Sequence, residues 1–534
     1  MLSPDLSAQS DVVDTTVHDP RRRRAILIAV CVALMAVIAS VSGLNVAQQE
    51  IAVAFHASQS TVLWIINIYT VSLAALLLPL GALGDRWGRR PVLLTGLVVF
   101  AVASAVAGLA TSSEIMIAAR LLSGVGAAMI MPVTLAVITS TFPDGERAKA
   151  IGVWTGVAGG GGILGMYLSA TLVDLANWRW LFVLPVALVA VAVTMALRSV
   201  PNSRERSEHG FDVIGSLTSV IAAVGLIVVL HEGPVRGWTA PVTLLSLLVG
   251  VIGAVGFVTW ERRRPAPLLD VRLFRERTLT SGSVALLVVF GVQAGIFVVL
   301  FPYFQAVLGW SGLRATLALM PMAVMMMLAA GLAPRLAARI GGRSTMAAGI
   351  FLGGAGLALM ATFVSVDGGY LSVLPGMLAM GLGMGLTQTP ATEAITASLP
   401  RERQGVASAL NDVTREFGTA LGIALLGAVL SAGYRNAIDP RLDGMPDSTA
   451  DTAGDGIANA IAAADGAGSQ ARTLIRAAQE SFVDGWQQAM WAGVAVMIVL
   501  FVYVLAGGHR HGPAGAPTTG AAPARDTADR TLTR

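Results

Sequence analysis

The sequence has little charge, one cysteine and one lysine. Only 13% of its 534 residues are charged, whereas soluble globular chains average about 25%. Cys31 is the only cysteine, so intramolecular disulfides and cysteine metal clusters are excluded. Lys149 is the only lysine, and the other basic residues are arginines and histidines. So low a charge content excludes a soluble globular protein of this length.

The sequence also lacks the common enzyme signatures. Its six histidines are scattered without metal-ligand spacing. The glycine-rich run from Gly159 to Gly162 lacks the lysine and the serine or threonine of a phosphate loop. We therefore expect no enzymatic activity, no metal and no cofactor, and ATP-driven work would need another subunit.

Long apolar runs are what the chain does have. It is 55% hydrophobic, with a mean hydropathy of +0.71. A helix that crosses ~30 Å of hydrocarbon needs about 20 apolar residues, and about fourteen such runs recur. We predict an all-α integral membrane protein, because this periodicity is helical and excludes a transmembrane barrel. The predicted spans are 25–46, 61–83, 91–111, 114–140, 148–173, 180–198, 213–231, 241–260, 281–307, 313–334, 344–364, 371–397, 405–432 and 486–507.

Arginines collect in the even-numbered connections between these spans. The first such connection carries Arg86, Arg89 and Arg90, whereas the odd-numbered connections hold only isolated arginines. Since cytoplasmic loops are enriched in arginine and lysine, we place the even-numbered connections and both termini in the cytoplasm. The charge of +4 is therefore a topology signal in a plasma (inner) membrane protein and does not indicate a nucleic-acid partner.

The chain contains an internal repeat. The turns "GDRWGRRP" (84–91) and "AARIGGRS" (337–344) align at an offset of 253 positions. This predicts two six-helix halves, 25–198 and 281–507, that bracket a central cavity as in transporters. Residues 199–280 are then an inserted helix pair with a cytoplasmic linker. The tails 1–24 and 508–534 are cytoplasmic, the second disordered, and an external loop at 433–485 holds "IANAIAAA" and "ARTLIRAAQESF" as short amphipathic helices.

The strongest motif is "GALGDRWGRRPVLL", which begins at Gly81. Glycines let helix ends approach closely, and Asp85 can pair with an arginine at a neighbouring helix end. We interpret the motif as a conformational latch. An ordinary hairpin with cytoplasmic arginines is the alternative, although it would need no glycine or aspartate at these positions. The latch residues are Gly81, Gly84, Asp85, Arg86, Gly88, Arg89 and Arg90.

With this motif, four further segments resemble the major facilitator superfamily, specifically its fourteen-span drug:proton antiporter family. They are "RLLSGVGAAMIMP" (120–132), "WIINIY" (64–69), "YFQAVLGWS" (303–311) and "LMP" ending at Pro321. The resemblance covers about residues 25–505. It implies the major facilitator fold, with two six-helix halves and two extra inserted helices, and proton-coupled drug export.

The same resemblance implies a role in proton coupling for Arg120. Independently, an arginine at mid-membrane costs about 2.5 to 3.5 kcal/mol, so Arg120 should face a cavity or a partner. The alternative is that Arg120 only braces helices. The chain departs from the family at several acidic and glycine-rich positions: Ser40 and Asn67 replace aspartates, Met166 replaces a proline, and Ser169 and Ala170 replace glycines.

With those acids absent, the segment "NDVTREFG" (411–418) becomes the main coupling candidate. Asp412 and Glu416 are four residues apart and share a helix face, and Arg415 lies three residues from Asp412. We interpret them as the site of proton coupling and charge recognition, with Asp412 paired to Arg415 and Glu416 exchanging the proton. A static ion pair between helices, or a hydrated cluster near the cytoplasmic end, is the alternative.

Polar and aromatic residues in other spans are candidates to line the same cavity, although any one of them is more often a hydrogen bond between helices. They are Asn45, Gln48, Gln49, Trp64, Tyr69, Gln293, Gln388 and Glu393.

We predict a proton-coupled exporter of amphipathic small molecules, such as drugs, dyes and antibiotics, that works by alternating access. Its partners are the substrate, protons and the lipid bilayer, with no nucleic acid, and we expect a monomer. One alternative is an exporter of a lipid or of a dedicated self-made metabolite. Another is a membrane scaffold or sensor that does not transport, built on a degenerate transporter fold.

Overall fold

The computed structural model describes residues 16–57, 59–203, 210–443, 445–464 and 468–506, which form helices and no strand. In chain order the helices are α1 (Pro20–Val46), α2 (Gln48–Phe55), α3 (Gln59–Trp87), α4 (Arg89–Gly108), α5 (Ser113–Thr141), α6 (Asp144–Leu175), α7 (Val183–Ser199), α8 (Val213–Arg236), α9 (Pro241–Glu261), α10 (Arg277–Pro302), α11 (Gly312–Ala318), α12 (Met320–Ile340), α13 (Gly342–Phe363), α14 (Gly369–Ala397), α15 (Gln404–Ile438), α16 (Asp447–Gly454), α17 (Ile457–Ala464) and α18 (Ala471–Ala506).

Within the described residues, fourteen segments are long and apolar enough to cross a membrane, with α11 and α12 counted together. This confirms the prediction of an all-α membrane protein with about fourteen spans. Many hydroxyl side chains inside the spans donate to a carbonyl of the preceding turn, as in α5, where Ser123 and Thr141 donate to the carbonyls of Ala119 (2.9 Å) and Val137 (2.6 Å). Such bonds are necessary because hydrocarbon offers no partner to a polar group.

The two turns of the internal repeat make matching contacts. Gly88 (φ 107°) and Gly341 (φ 89°) adopt positive φ values at the α3–α4 and α12–α13 junctions, a conformation that favours glycine. Two positions later, Arg90 donates to the carbonyl of Leu197 near the end of α7 (2.7 Å). Arg343 donates to the carbonyl of Val504 near the end of α18 (2.6 Å). Each arginine thus satisfies terminal carbonyls of the last helix of its own half.

The inserted helices α8 and α9 pack tightly against each other through glycines. A Cβ atom on Gly253 would lie 2.6 Å from the backbone nitrogen of Ala222, so only glycine allows this separation. The pair also contacts α3 from the first half and α15 from the second. It therefore lies beside the interface between the halves.

The region between the last two spans of the second half is more helical than we predicted. Helix α15 continues to Ile438, and α18 begins at Ala471, well before the predicted start at 486. "IANAIAAA" forms α17, whereas "ARTLIRAAQESF" forms the first turns of α18 instead of a separate helix. A hydropathy window did not detect the first turns of α18, because they contain charged residues. One of these, Arg476, is paired with Asp367 at 2.7 Å. The predicted tails fall largely outside the described residues.

Candidate functional site between the two halves

The arginine-rich connections lie together on one side of the molecule, called here the arginine-rich side, where Asp85 joins the two halves. Its carboxylate is 1% exposed and accepts hydrogen bonds from Arg89 Nη2 (2.8 Å) and Nε (3.1 Å). It also accepts from the backbone N–H groups of Gly405 (2.8 Å) and Val406 (3.1 Å), in the first turn of α15. A helix N-terminus attracts a carboxylate because its first N–H groups have no partner within the helix.

Glycines bring the helices together at this point. A Cβ atom on Gly81 would lie 2.6 Å from the carbonyl oxygen of Gly405, so α3 and α15 meet backbone to backbone. A Cβ on Gly84 would lie 2.9 Å from Val133 Cγ2 of α5. Arg89 Nη2 also donates hydrogen bonds to the carbonyls of Arg401 (3.1 Å) and Glu402 (3.2 Å). Arg86 lies on α3 next to Asp85, and Arg90 binds α7.

A second ionic contact joins the halves nearer to the surface. Asp144, at the start of α6, pairs with Arg401 at 2.7 Å and with Arg147 at 2.8 Å. The Asp144 side chain is 75% exposed, so this pair stabilises the contact much less than the buried Asp85 does. Glu393, which we expected in the central cavity, interacts electrostatically with Arg147. It therefore belongs to this ionic group near the arginine-rich end of α14.

The acidic pair of α15 lies deeper in the same interface. Asp412 is fully buried, and its Oδ1 accepts from Asn411 Nδ2 at 3.1 Å and lies 3.7 Å from Arg415 Nη1. Its Oδ2 has no hydrogen-bond partner among the described residues. The Arg415 guanidinium lies over the ring of Phe290 at 4.4 Å and that of Trp154 at 5.3 Å. These rings belong to α10 and α6, so Arg415 contacts both halves.

Arg120 and Glu416 both interact with Tyr69. The Arg120 guanidinium lies 4.3 Å from the centre of the Tyr69 ring, and Nη1 donates to Ser40 Oγ at 3.0 Å. No carboxylate lies at ion-pair distance from Arg120 within the described part of the chain, and its Nε has no hydrogen-bond partner there. Glu416, which is half-buried, is close enough to Tyr69 to interact with it electrostatically. The Tyr69 ring thus contacts Arg120, whereas the Tyr69 hydroxyl has no hydrogen-bond partner among the described residues.

The remaining cavity candidates form no single cluster. Gln388 Nε2 donates to Gln293 Oε1 at 3.1 Å, which joins α14 to α10 beside Met326. Gln388 Oε1 has no hydrogen-bond partner among the described residues. Trp64 is half-buried, and it makes no polar or ring contact with the residues that the structure describes. The side chains of three other candidates lie outside the described part: Asn45, Gln48 and Gln49.

Comparison with known proteins identifies the family. The family model of the Major Facilitator Superfamily matches residues 28–423, which is more than half of the chain. The chain belongs to the Major Facilitator Superfamily. It is therefore a multi-pass membrane transporter of this family, as the motifs predicted.

Several relatives of this facilitator are resistance proteins. It is 31% identical to the multidrug efflux pump LfrA of Mycolicibacterium smegmatis, covering 92% of this chain and 97% of the pump. It is 32% identical to the tetracenomycin C resistance and export protein of Streptomyces glaucescens, covering 89% of each chain. It is 31% identical to the methyl viologen resistance protein SmvA of Salmonella typhimurium, covering 74% of this chain and 80% of SmvA.

Solved structures share the fold of this facilitator. The human organic anion transporter MFSD10 superposes with a TM-score of 0.57 at 14% identity, over 91% of this chain and 100% of MFSD10. A bacterial homologue of the lysosomal transporter Spinster, solved in an inward-facing state, gives a TM-score of 0.56 at 18% identity, over 92% and 97% of the two chains.

Sequence reasoning missed the partners that surround the charged residues of this facilitator. Trp154 and Phe290 flank Arg415, and the first N–H groups of α15 bind Asp85. Trp154 was detectable in principle, because a tryptophan inside a glycine-rich span is a marked feature. Phe290 and the backbone N–H groups carry no signal of their own, since any apolar span contains phenylalanine and every helix has an N-terminus.

Proposed function

We propose that this protein is a proton-coupled exporter of amphipathic small molecules. In this proposal it lies in the plasma membrane with both termini and the arginine-rich side in the cytoplasm, in accord with the distribution of arginines. Alternating access exposes the interface between the halves to each side of the membrane in turn. In the structure described above, the halves are joined on the arginine-rich side, so this state is closed to the cytoplasm.

The observation that carries the proposal is the Asp412–Arg415–Glu416 cluster in that interface. The 3.7 Å separation between Asp412 and Arg415 is longer than a hydrogen-bonded ion pair, and Asp412 Oδ2 lacks a partner among the described residues. Burial disfavours the charged form of a carboxylate, so a carboxyl group here can bind and release a proton as its surroundings change. A static brace would be expected to satisfy both carboxylate oxygens.

The presence of Ser40 in place of an aspartate gives a reason why proton coupling would depend on the acids of α15. It stands where the resemblance leads us to expect an aspartate, and its hydroxyl accepts a hydrogen bond from Arg120. Arg120 is therefore a buried cation with no carboxylate of its own half at ion-pair distance among the described residues. Its ring partner Tyr69 lies within electrostatic range of Glu416. We infer that Glu416 takes over the acidic role that is missing opposite Arg120.

The proposed substrates are cationic or neutral amphipathic molecules. The Arg415 guanidinium lies against the rings of Trp154 and Phe290, so aromatic side chains of this interface already accept a cation, although Trp154 is fully buried in this state. The names of LfrA and SmvA, a multidrug efflux pump and a methyl viologen resistance protein, agree with this class. The tetracenomycin C exporter supports the second candidate, a dedicated exporter of one metabolite.

The first prediction separates the roles of the two acids. Glu416→Gln keeps the side-chain shape but cannot ionise, so we expect it to bind and exchange substrate downhill while losing accumulation driven by a pH gradient. Asp412→Asn removes the carboxylate that pairs with Arg415 among the described residues, so we expect a lower yield of folded protein. The measurement is methyl viologen flux into proteoliposomes, together with the purified yield of each variant.

The matched control is Glu402→Gln, an exposed acid just before the start of α15. It should pump and fold like the wild type. If Glu416→Gln accumulates substrate normally, or if the two phenotypes are interchanged, the assignment is wrong. If no candidate compound is moved by the wild type under any proton gradient, the scaffold alternative is favoured over transport.

A further inference from the structure

An apolar groove lies between the inserted helix pair and the interface of the two halves. Its volume is about 590 Å³, within the usual range for ligand pockets. Ala75 and Leu78 of α3 form one wall, and Val413 and Phe417 of α15 form the next. Helices α8 and α9 form the remaining helical walls of the groove. The groove is thus outside the charged cluster, although Phe417 directly follows Glu416.

Three arginines line the end of the groove on the arginine-rich side. Arg262, Arg272 and Arg275 are exposed and belong to the connection between α9 and α10. Arg272 Nη2 donates to the carbonyl of Arg262 at 2.9 Å, which holds two of them together. None of the three has a carboxylate at ion-pair distance among the described residues, whereas nearby Arg264 pairs with Asp212 at 3.2 Å.

We propose that this groove binds an anionic phospholipid of the cytoplasmic leaflet, with an acyl chain between α3, α9 and α15 and the phosphate on the three arginines. The proposal rests on the cytoplasmic assignment of the arginine-rich side, but not on any substrate or on proton coupling. Basic pockets between spans on the cytoplasmic side attract anionic headgroups. A cationic efflux substrate would be repelled by the same arginines.

The bound lipid would favour the state in which the halves are joined. The groove has walls from α3 and α15, and these helices meet at Gly81 and Gly405, close to the bound Asp85 carboxylate. If α3 and α15 separate, the two walls of the groove move apart and the acyl chain loses its contacts with them. A ligand that binds one conformation better shifts the population toward that conformation. This assigns a function to the inserted pair, which supplies the remaining wall and the arginines.

The first arm of the test changes the arginines. The purified full-length protein in detergent is titrated with phosphatidylglycerol or with phosphatidylcholine, and binding is measured by native mass spectrometry. We expect the Arg262→Gln/Arg272→Gln/Arg275→Gln variant to bind phosphatidylglycerol at least about tenfold more weakly, since each arginine near an anionic headgroup contributes to binding. Arg263→Gln, in the same connection but outside the groove lining, should bind like the wild type.

The second arm fills the groove. Ala254→Trp places a large side chain in the lining, whereas Val255→Trp places it on an exposed face of the same helix. We expect only Ala254→Trp to weaken phosphatidylglycerol binding. The proposal is overturned if both tryptophan variants bind the lipid equally, or if phosphatidylcholine binds as tightly as phosphatidylglycerol. It is also overturned if methyl viologen, and not the lipid, is the ligand that Ala254→Trp excludes, because the groove would then be a substrate entrance.

Discussion

At the scale of single residues, the buried charges differ in how fully they are satisfied. Both oxygens of Asp85 accept hydrogen bonds, from Arg89 and from two backbone N–H groups. Asp412 has one oxygen without a partner among the described residues, and Arg120 has one guanidinium nitrogen in the same condition. A fully bonded carboxylate stabilises one arrangement, whereas an incompletely bonded group can change partner or protonation. This difference separates the latch from the proposed coupling site.

The second prediction concerns Asp85. Asp85→Asn removes the charge and turns an amide N–H₂ toward groups that are themselves donors. Hydrogen bonds to charged groups contribute about 1.5 to 3 kcal/mol each, so losing about 2 kcal/mol would shift the balance away from the joined state about thirtyfold. The measurement is the distance between fluorescent labels on Lys149→Cys and Glu402→Cys in a Cys31→Ser background, which should increase.

Asp144→Asn is the control for this prediction. It also removes an acid that joins the halves, but its side chain is 75% exposed and should contribute little. Equal label distances in the Asp85→Asn variant and the wild type would show that Asp85 is not a latch. An effect of Asp144→Asn as large as that of Asp85→Asn would show that surface charge alone closes this side.

At the scale of helices, α15 has three functions along its length. Its first turn binds Asp85, and Gly405 and Ala409 lie against Gly81 of α3. Asp412, Arg415 and Glu416 follow in the next turns. We therefore expect a change at one site to affect the others, because all three lie on one continuous helix. Separation of α3 from α15 at Gly405 would move the acidic pair relative to Tyr69, which lies on α3.

The third prediction tests this close approach. A Cβ atom on Gly81 would lie 2.6 Å from the Gly405 carbonyl oxygen and 2.7 Å from Ala409 Cβ, so Gly81→Ala should force α3 and α15 apart. Overpacking of this kind costs about 1 to 3 kcal/mol. We expect the label distance across the arginine-rich side to increase and transport to slow.

Gly331→Ala is the matched control, because Gly331 lies inside helix α12 with no atom within 4 Å of its added Cβ. It should leave the label distance unchanged and stabilise the helix slightly. An unchanged distance in the Gly81→Ala variant would contradict the view that backbone contact between α3 and α15 closes this side.

At the scale of the whole molecule, the two hairpins of the repeat have similar structures but differ in their contacts with the other half. Arg90 and Arg343 make equivalent contacts with the last helix of each half. Only the first hairpin carries an acid at the position of Asp85, since Ala338 occupies the equivalent place in the second. The joined state therefore depends on one hairpin from the first half and one helix N-terminus from the second.

The fourth prediction concerns orientation. In intact cells that express single-cysteine variants on a Cys31→Ser background, a membrane-impermeant maleimide should label Asp451→Cys in α16 but not Arg263→Cys. After the cells are opened, both should react, because both residues are exposed. The physical reason is that the arginine-rich connections are retained in the cytoplasm. Labelling of Arg263→Cys in intact cells would reverse the proposed orientation.

Sequence patterns were sufficient for the spans and for the pairing of Asp85 with a nearby arginine. Spans are recognisable because about 20 consecutive apolar residues have few other stable environments, and the arginine partner because it lies at the start of the next helix in the same short turn. Asp412 and Arg415 could be paired from their spacing alone, since residues three apart lie on one helix face. All of these inferences depend on neighbours that are close in the chain.

Contacts between distant helices were decided only by tertiary packing. Three such contacts join separate helices: the hydrogen bonds from Gly405 and Val406 to Asp85, the rings of Trp154 and Phe290 around Arg415, and the Arg120 guanidinium over the Tyr69 ring. Packing also brought Glu393 within electrostatic range of Arg147, which the sequence did not predict. Helical periodicity specifies the face on which a side chain lies, but the helix that covers this face depends on the shapes of all the spans together.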